Sequence, residues 1–570
     1  MNEYHALFAR AAEWISDGVR AGWLGDVDQS QFAAIEQAAP ADLFTGRAAR
    51  PLVAALFGGT GVGKSSLLNR IAGEALARTG VQRPTSREVT LYVPAAARPE
   101  KLPAALPLGS VQIREHHSDA LANVAWIDAP DIDSVEESNR RLALAWLPHV
   151  DLVIYVVSPE RYRDDPGWRV LQQRGGRHGW IFVMNRWDEG DLRQREDFAA
   201  ILRGAEFADP LVFCTCGLSQ TPRLPSPDQL DELLARVRAL QSAHRVEELA
   251  RLGCAARLRE LREMLSGAIQ RCGDEEKWEQ FEIWWRSQWS KTAAAVADGA
   301  TWVIQASAGR IAALHGGVVG AIRRQAAALR NPRSVEPREL TPADELAAAA
   351  HGLWDEWTEA KVRSALDQAE TRLRLDGLPS APAMAALAEP ARDAAAAVTA
   401  AARDELRVAL SRPGDLLQRL ARRATGFLTV ALPGAALAWI AYTAIVGYFN
   451  ASRGQAPFLG TPFLVHSGLV MLVSWLPPFL LDRRLRPSLQ RTVAGALRAA
   501  LERELEEIGS RLAAAVGRSA AEAGRFRSRG ESIVAAVDES LQAAAAQPTD
   551  ADLTRVIRKA TPVDEFAARA

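Results

Sequence analysis

The stretch of this 570-residue chain best equipped for chemistry is GGTGVGKS at positions 58–65, comprising Gly58, Gly59, Thr60, Gly61, Val62, Gly63, Lys64 and Ser65. The apolar run RPLVAALF (50–57) leads into it and SLLNRI (66–71) follows, so the spacing GxxxxGKS sits between a predicted strand and a predicted helix. Glycines here let successive backbone N–H groups turn inward around a phosphate at a helix N-terminus. Lys64 would reach the β- and γ-phosphates of a nucleotide, and the Ser65 hydroxyl would ligate Mg²⁺. Ser66, opening the helix, belongs to the same phosphate-binding set.

One phosphate loop leaves ATP, GTP and kinase chemistry open, so the order of the elements around it matters. VAWID (124–128) is an apolar strand ending in Asp128, and an aspartate at a strand end beside the loop can hold Mg²⁺ through water. DLVIYVV (151–157) reads as a fully buried strand, as does WIFVM (180–184), which runs into Asn185, Arg186, Trp187 and Asp188. LVFC (211–214) is a further short strand leading into Thr215 and Cys216. Strands alternating with helical stretches at this spacing predict an α/β fold, a mostly parallel doubly wound sheet with ligands at the C-terminal strand ends.

In that order the motifs resemble those of the guanine-nucleotide-binding proteins of the Era, TrmE and dynamin-like group. NRWD (185–188) is similar to the family's NKxD base-recognition motif. The resemblance implies that Asp188 accepts two hydrogen bonds from the guanine edge, a pair adenine cannot offer. It gives Asn185 the task of tying this loop to the phosphate loop, and Arg186 that of covering the base with its aliphatic stem. Thr215 and Cys216 take the place of the Ser-Ala pair that borders the base. Asp128 matches the aspartate of DxxG, with Asp131 where the glycine usually lies; an aspartate keeps the N–H that senses the γ-phosphate but adds charge and stiffens the turn. RPTSRE (83–88) resembles the switch segment RPTTRE, and Thr85 or Ser86 would supply a second hydroxyl to Mg²⁺.

Hydrolysis has weaker support than binding. Ile132 occupies the position where Ras-like proteins carry a water-orienting glutamine, and an isoleucine cannot polarise water. Gly61 stands where relatives use a side chain to ligate an activating monovalent cation. Thr60 is at the dynamin-like glutamine position, so Thr60, Lys64 and Thr85 form the expected catalytic set. Slow intrinsic turnover follows, with a partner or self-assembly supplying the missing electrostatics.

The elements that carry this site are only part of the chain. Its length predicts three or four domain-sized units. With 68 basic against 69 acidic residues there is no basic excess, so nucleic acid is not an expected partner. Four cysteines are too few for a disulfide scaffold, and they read as reduced thiols. The N-terminal segment is an amphipathic helix with scattered charges, not a signal peptide.

A mean hydropathy close to zero suggests a soluble protein, yet residues 426–449 carry no charge and residues 457–481 only His466. About 20 apolar residues span a bilayer core, so the two runs predict a transmembrane hairpin. Arg419, Arg422 and Arg423 precede it and Arg483, Arg484, Arg486 and Arg491 follow, against Arg453 alone in the connection. By the positive-inside rule both long arms are cytoplasmic. Pro433, Pro462, Pro477 and Pro478 predict kinks or early ends.

Elsewhere the chain reads as helix. SPDQ (226–229) and TPAD (341–344) carry helix-start signals, with breaks predicted at 331–337 and 376–382. Trp278, Phe281, Trp285 and Trp289 recur at helical spacing and predict a bundle core. Leu489 to Val516 shows one more amphipathic period, and His116 and His117 read as surface residues.

The expected domains are N-terminal helices (1–49), a nucleotide domain (50–224), a helical arm (225–425), the hairpin (426–481) and a second arm (482–570). That order resembles mitofusins and bacterial dynamin-like proteins. It implies a membrane-anchored GTPase in a bacterial cytoplasmic membrane, binding GTP or GDP with Mg²⁺ and forming a homodimer through the nucleotide domain. Two other readings stay open: a membrane-bound regulatory switch that recruits a cytosolic partner, and an ATP-using enzyme.

Overall fold

Every position of Leu52–Phe57 (β1) is apolar and buried, which a strand achieves only when both faces of its sheet are covered. Successive side chains point to opposite faces. Val53, Ala55 and Phe57 accordingly join one core layer, with Trp146, Trp180, Phe182, Phe198 and Phe207. Leu52, Ala54 and Leu56 join the other, with Leu67, Leu68, Ile71, Leu233 and Val237.

The computed structural model describes residues 2–44, 50–73, 77, 89–99, 102–103, 106, 111–118, 121–130, 137–163, 175–216, 224–314, 342–411, 416–453, 460–485, 488–550, 553 and 555–557. Two units divide the chain: Met1–Cys272 with Arg525–Ala570, and Gly273–Gly524.

The first unit is built on a seven-stranded sheet. The remaining strands are Val89–Pro94 (β2), Val111–His116 (β3), Val124–Asp128 (β4), Leu152–Val157 (β5), Gly179–Met184 (β6) and Val212–Cys214 (β7), in the spatial order β3-β2-β4-β1-β5-β6-β7. From β4 through β7 all pairings are parallel, with Leu56 beside Asp128 and Phe57 beside Tyr155. β2 runs antiparallel to β4 and carries β3 parallel to itself at the edge. The mostly parallel sheet expected from the sequence is therefore present. The β2–β3 pair was not foreseen: β3 alternates half-buried Val111 and Ile113 with exposed Gln112 and Arg114, a signal too mixed to read as strand.

Asn2–Ala21 (α1) buries Tyr4, Leu7, Phe8, Ala11, Trp14 and Ile15 along one face, as its pattern predicts. Trp14 stacks on Phe526 with ring centroids 4.7 Å apart and donates to the Phe526 carbonyl. Further helices of this unit are Asp26–Ala34 (α2), Lys64–Ala72 (α3), Glu137–Trp146 (α4), Leu192–Gly204 (α5), Leu230–Leu240 (α6) and Ala243–Arg271 (α7). The signal at 226–229 marks α6, but the helix begins four residues later. Gln229 is drawn to β7, its N–H donating to the Cys214 carbonyl and its side chain accepting from the Cys214 N–H, while Asp228 caps Leu230.

The end of the sheet where β1, β5 and β6 begin is closed by paired charges. Asp151 is fully buried and accepts from both Arg50 amino groups, at 2.6 and 2.7 Å, and from the Val53 N–H. Arg177 bridges Glu36 at 3.0 Å and Glu260 at 2.7 Å. His178 lies against the Val150 carbonyl at 2.8 Å, and burial pushes its pKa down to about 4, the Glu36 charge opposing.

The last described residues also return to this sheet. The Trp180 N–H donates to the Val556 carbonyl at 2.6 Å, and Leu553 and Val556 are fully buried in the layer that holds Leu52 and Ile154. Burying each stabilises the fold by about 1.5–3 kcal/mol. His116 is a correction to the sequence reading: it is buried, its Nε2 2.7 Å from the Val124 carbonyl, and only His117 is exposed.

The second unit is helical, with Glu275–Gly299 (α8), Thr301–Leu314 (α9), Pro342–His351 (α10), Glu356–Leu375 (α11), Ser380–Ser411 (α12), Leu416–Ser452 (α13), Thr461–Leu485 (α14) and most of Leu489–Ala546 (α15). Trp278, Phe281, Trp285 and Trp289 are buried together, as a bundle core requires. Trp289 donates to the Leu505 carbonyl at 3.0 Å. A Cβ on Gly509 would stand 2.5 Å from that indole, so the glycine allows the close approach. A break separates α11 from α12 but spans only 376–379, since 380–382 already belong to α12, whereas 331–337 lies outside the described residues.

α13 and α14 pack against each other and run through Pro433, Pro477 and Pro478 without ending. Both are long and apolar enough to cross a membrane, and only 6 % of the most apolar window of each is buried. A buried core hairpin would show the opposite. Phe427, Val430, Trp439 and Leu464 project their apolar surface outward, and Arg422 meets Asp482 at the base of the pair, 3.7 Å apart.

Candidate nucleotide site

At the opposite end of the sheet, β1 stops at Phe57 and the chain turns through 58–63 into α3. Gly58 cannot be replaced: a Cβ there would lie 2.1 Å from the Val156 carbonyl oxygen. Gly63 has φ +90°, and a Cβ on it would meet the Asn185 amide at 2.5 Å. Gly61 is also left-handed, at φ +80°. The glycines thus give the loop its curvature and let a second loop close on it.

Asn185 makes that closure. Its Nδ2 donates to the Val62 carbonyl at 2.9 Å, and its Oδ1 accepts from the Thr215 hydroxyl at 3.1 Å. The loops after β1, β6 and β7 are therefore fastened together through one buried amide. Trp187 holds the middle loop from below, fully buried, its indole N–H on the Ser226 hydroxyl at 2.8 Å. Arg186 sits exposed at φ +56° and turns the chain so that Asp188 emerges half-buried. One Asp188 oxygen accepts from the Cys216 thiol at 3.2 Å. From α3, Arg70 donates to the Cys216 carbonyl and pairs with Asp228 at 2.8 Å. Burial pushes the neighbouring Cys214 thiol up to about 11, so it stays protonated.

Lys64 begins α3, buried, and its Nζ donates to the carbonyls of Gly58 at 2.8 Å and Gly59 at 2.9 Å. These are neutral partners that an incoming phosphate, carrying full charge, would displace. Ser65 and Ser66 follow half-exposed at the helix N-terminus, where backbone N–H groups and the helix dipole favour an anion. Asp128 ends β4 in register with Leu56, next to the loop. Burial, and after it the Asp128 charge, raise the pKa of Tyr92.

A hydroxyl and a carboxylate are hard oxygen donors of the kind Mg²⁺ takes when phosphates and water complete its shell. Among the described residues no group of three or more His, Cys, Asp or Glu side chains forms a metal cage. Ser65 and Asp128 fit a metal shared with a nucleotide.

Of the residues expected from the sequence, 58–66, Asp128, Asn185, Arg186, Asp188, Thr215 and Cys216 come together at this end. Thr85, Ser86, Asp131 and Ile132 lie outside the described residues. Sequence reasoning missed Arg70, Ser226 and Arg161, whose guanidinium donates to the Thr60 carbonyl at 3.1 Å. Arg70 and Arg161 stand in no motif and Ser226 only in a helix-start signal, and their roles depend on contacts 39 to 158 positions apart.

Residues 53–186 match the family model described as 50S ribosome-binding GTPase. No curated protein matches the chain. Among solved structures, two similar chains come from work on an oligomerised bacterial dynamin pair, described as a mechanism for the long-range sensing and tethering of membranes. Each is 12 % identical, with TM-scores of 0.38 and 0.37, covering 86 % of this chain and 89 % of its own. At that distance they carry no functional weight here. The family match takes in both Val62 and Asn185, which fasten the loops after β1 and β6 together, and residues 53–186 form a P-loop GTPase domain.

Proposed function

We propose that this chain is a membrane-anchored GTPase that binds GTP with Mg²⁺ and hydrolyses it slowly. The single observation that carries the nucleotide reading is the Asn185 clasp, which holds the phosphate loop at Val62 and the loop of Asp188 and Cys216 as one surface. Residues 58–66 receive the phosphates. Asp188 accepts from the guanine edge, Arg186 covers the base, and Thr215 and Cys216 border it. Ser65 and Asp128, with Thr85 or Ser86, share Mg²⁺ with the phosphates.

Anchoring rests on α13 and α14, whose apolar surface faces outward, and on the arginines flanking them. In that reading both long arms lie on the cytoplasmic side of a bacterial inner membrane. Slow turnover rests on Ile132 and Gly61. Nucleotide-dependent self-association through the GTPase domain rests on the order of domains in the sequence.

The experiment is GTP turnover by the full chain at several protein concentrations, in detergent and in liposomes. The dynamin-like reading expects a rate that rises more steeply than concentration and rises again with lipid. Concentration-independent turnover without lipid deformation would leave the same site and anchor working as a regulatory switch. Tight ATP binding by a protein that ignores GTP would overturn the role of Asp188. Recovery in the soluble fraction without detergent would overturn the anchor.

A further inference from the structure

The turn after β5 is closed by the Arg161 N–H donating to the Ser158 carbonyl at 2.9 Å, which fixes where residue 161 leaves the sheet. Its guanidinium is half-buried and reaches the phosphate loop, Nη1 donating to the Thr60 carbonyl. Lys64 donates to the carbonyls of Gly58 and Gly59. Three consecutive loop carbonyls, at 58, 59 and 60, are therefore held by two cations. One of them is the lysine that would reach the β- and γ-phosphates, so the other stands beside the same phosphates' place.

From this geometry we propose that Arg161 is a catalytic residue acting in cis, its guanidinium moving from the Thr60 carbonyl onto the γ-phosphoryl oxygens as GTP is hydrolysed. The proposal rests on the GTPase reading and deepens it. In the reaction, water adds to the γ-phosphorus. The bond from that phosphorus to the β–γ bridging oxygen breaks, its electron pair leaving with GDP, and the water's proton passes to the released phosphate. Charge grows along that leaving bond and spreads over the γ-oxygens, and a guanidinium offers several N–H donors in a fixed plane to meet it. Ile132 supplies no such group. Arginines that act on a transferring γ-phosphoryl group raise kcat by about 10³–10⁵-fold in P-loop enzymes. The Thr60 carbonyl keeps Arg161 pre-positioned, so little reorganisation is needed.

The test uses the full chain in detergent, comparing wild type with Arg161→Ala and Arg161→Lys. Single-turnover hydrolysis should fall by about 100-fold or more in Arg161→Ala, while GDP and non-hydrolysable GTP analogues bind as before. Wild type should capture GDP with aluminium fluoride, Arg161→Ala should not, and Arg161→Lys should recover part of the rate. Arg161→Ala hydrolysing as fast as wild type would overturn the proposal. Equal weakening of GDP and GTP binding would also overturn it, by making Arg161 a structural hold on the loop. Rescue by added Lys64→Ala chain, which still carries Arg161, would overturn the cis assignment. A wild type that binds GTP but never hydrolyses it would remove the hydrolytic reading itself, a different failure from the others.

Discussion

The two ends of the central sheet handle charge in different ways. Where β1, β5 and β6 begin, each buried charge meets a fixed counter-charge: Arg50 on Asp151, Arg177 on Glu36 and Glu260. Where β1, β6 and β7 end, Arg70 pairs with Asp228, but the groups that would meet a nucleotide have neutral atoms among their partners. Lys64 rests on carbonyls, Arg161 on another carbonyl, and Asp188 on a thiol. A pair of opposite buried charges is hard to separate, since removing one strands the other. A cation on a backbone carbonyl can be exchanged for a phosphate at a gain. One end is therefore built to stay as it is, and the other to trade partners.

Substitutions at each end should separate these roles. The largest effect is expected from Lys64→Ala, which should weaken GTP binding by about 1000-fold, the loss of a charged partner at a buried site, while the unfolding midpoint stays close to wild type. Equilibrium titration with fluorescent GTP checks this, and an unchanged affinity would remove the phosphate-loop assignment. Glu36→Gln should do the reverse. Arg177 would keep only Glu260, and the buried Arg257, 3.7 Å from Glu36, would face a neutral amide, so stability should fall by about 3–5 kcal/mol, read by chemical denaturation, with GTP affinity of the folded protein unaltered.

A smaller effect concerns pH. His178 titrates at about 4 in the fold, below its ordinary value, because burial disfavours its charged form. Between pH 6.5 and about 4 the unfolded chain takes up a proton that the folded chain refuses. Stability from this group is therefore complete above pH 6.5 and lost as pH falls across that window. His178→Asn, which can still donate to the Val150 carbonyl, should flatten the slope. Buried His149, also shifted down, should leave a residue of it. The smallest effect is expected from Arg186→Lys at the exposed rim, where the aliphatic stem is retained and GTP affinity should change by less than about threefold.

What could be read from the sequence divides along the same line. The phosphate loop and the NRWD loop were legible because backbone conformation there demands particular residues at particular spacings: Gly58 and Gly63 tolerate no Cβ, and Asn185 must fit against one of them. The buried strands showed as unbroken apolar runs. The closed end was not legible, because Glu36, Arg177, Arg257 and Glu260 look like ordinary surface charges until the fold brings them together across as many as 224 positions. His116 misled for the same reason, its partner being a carbonyl on another strand. Arg161 carries no motif, only a place after β5.

The return of Leu553 and Val556 to the sheet has a consequence for how the protein is made. The chain emerges from the ribosome at about 5–20 residues per second. Val556 therefore follows Leu52 by roughly 25 to 100 s, and the groove it fills beside β6 stays open for all that time. By then the apolar hairpin has already been synthesised, and on the proposed anchoring delivered to the bilayer. On that anchoring, the GTPase domain would complete its core only after its tether is in place, an order of assembly in which the domain is finished at the membrane rather than before reaching it.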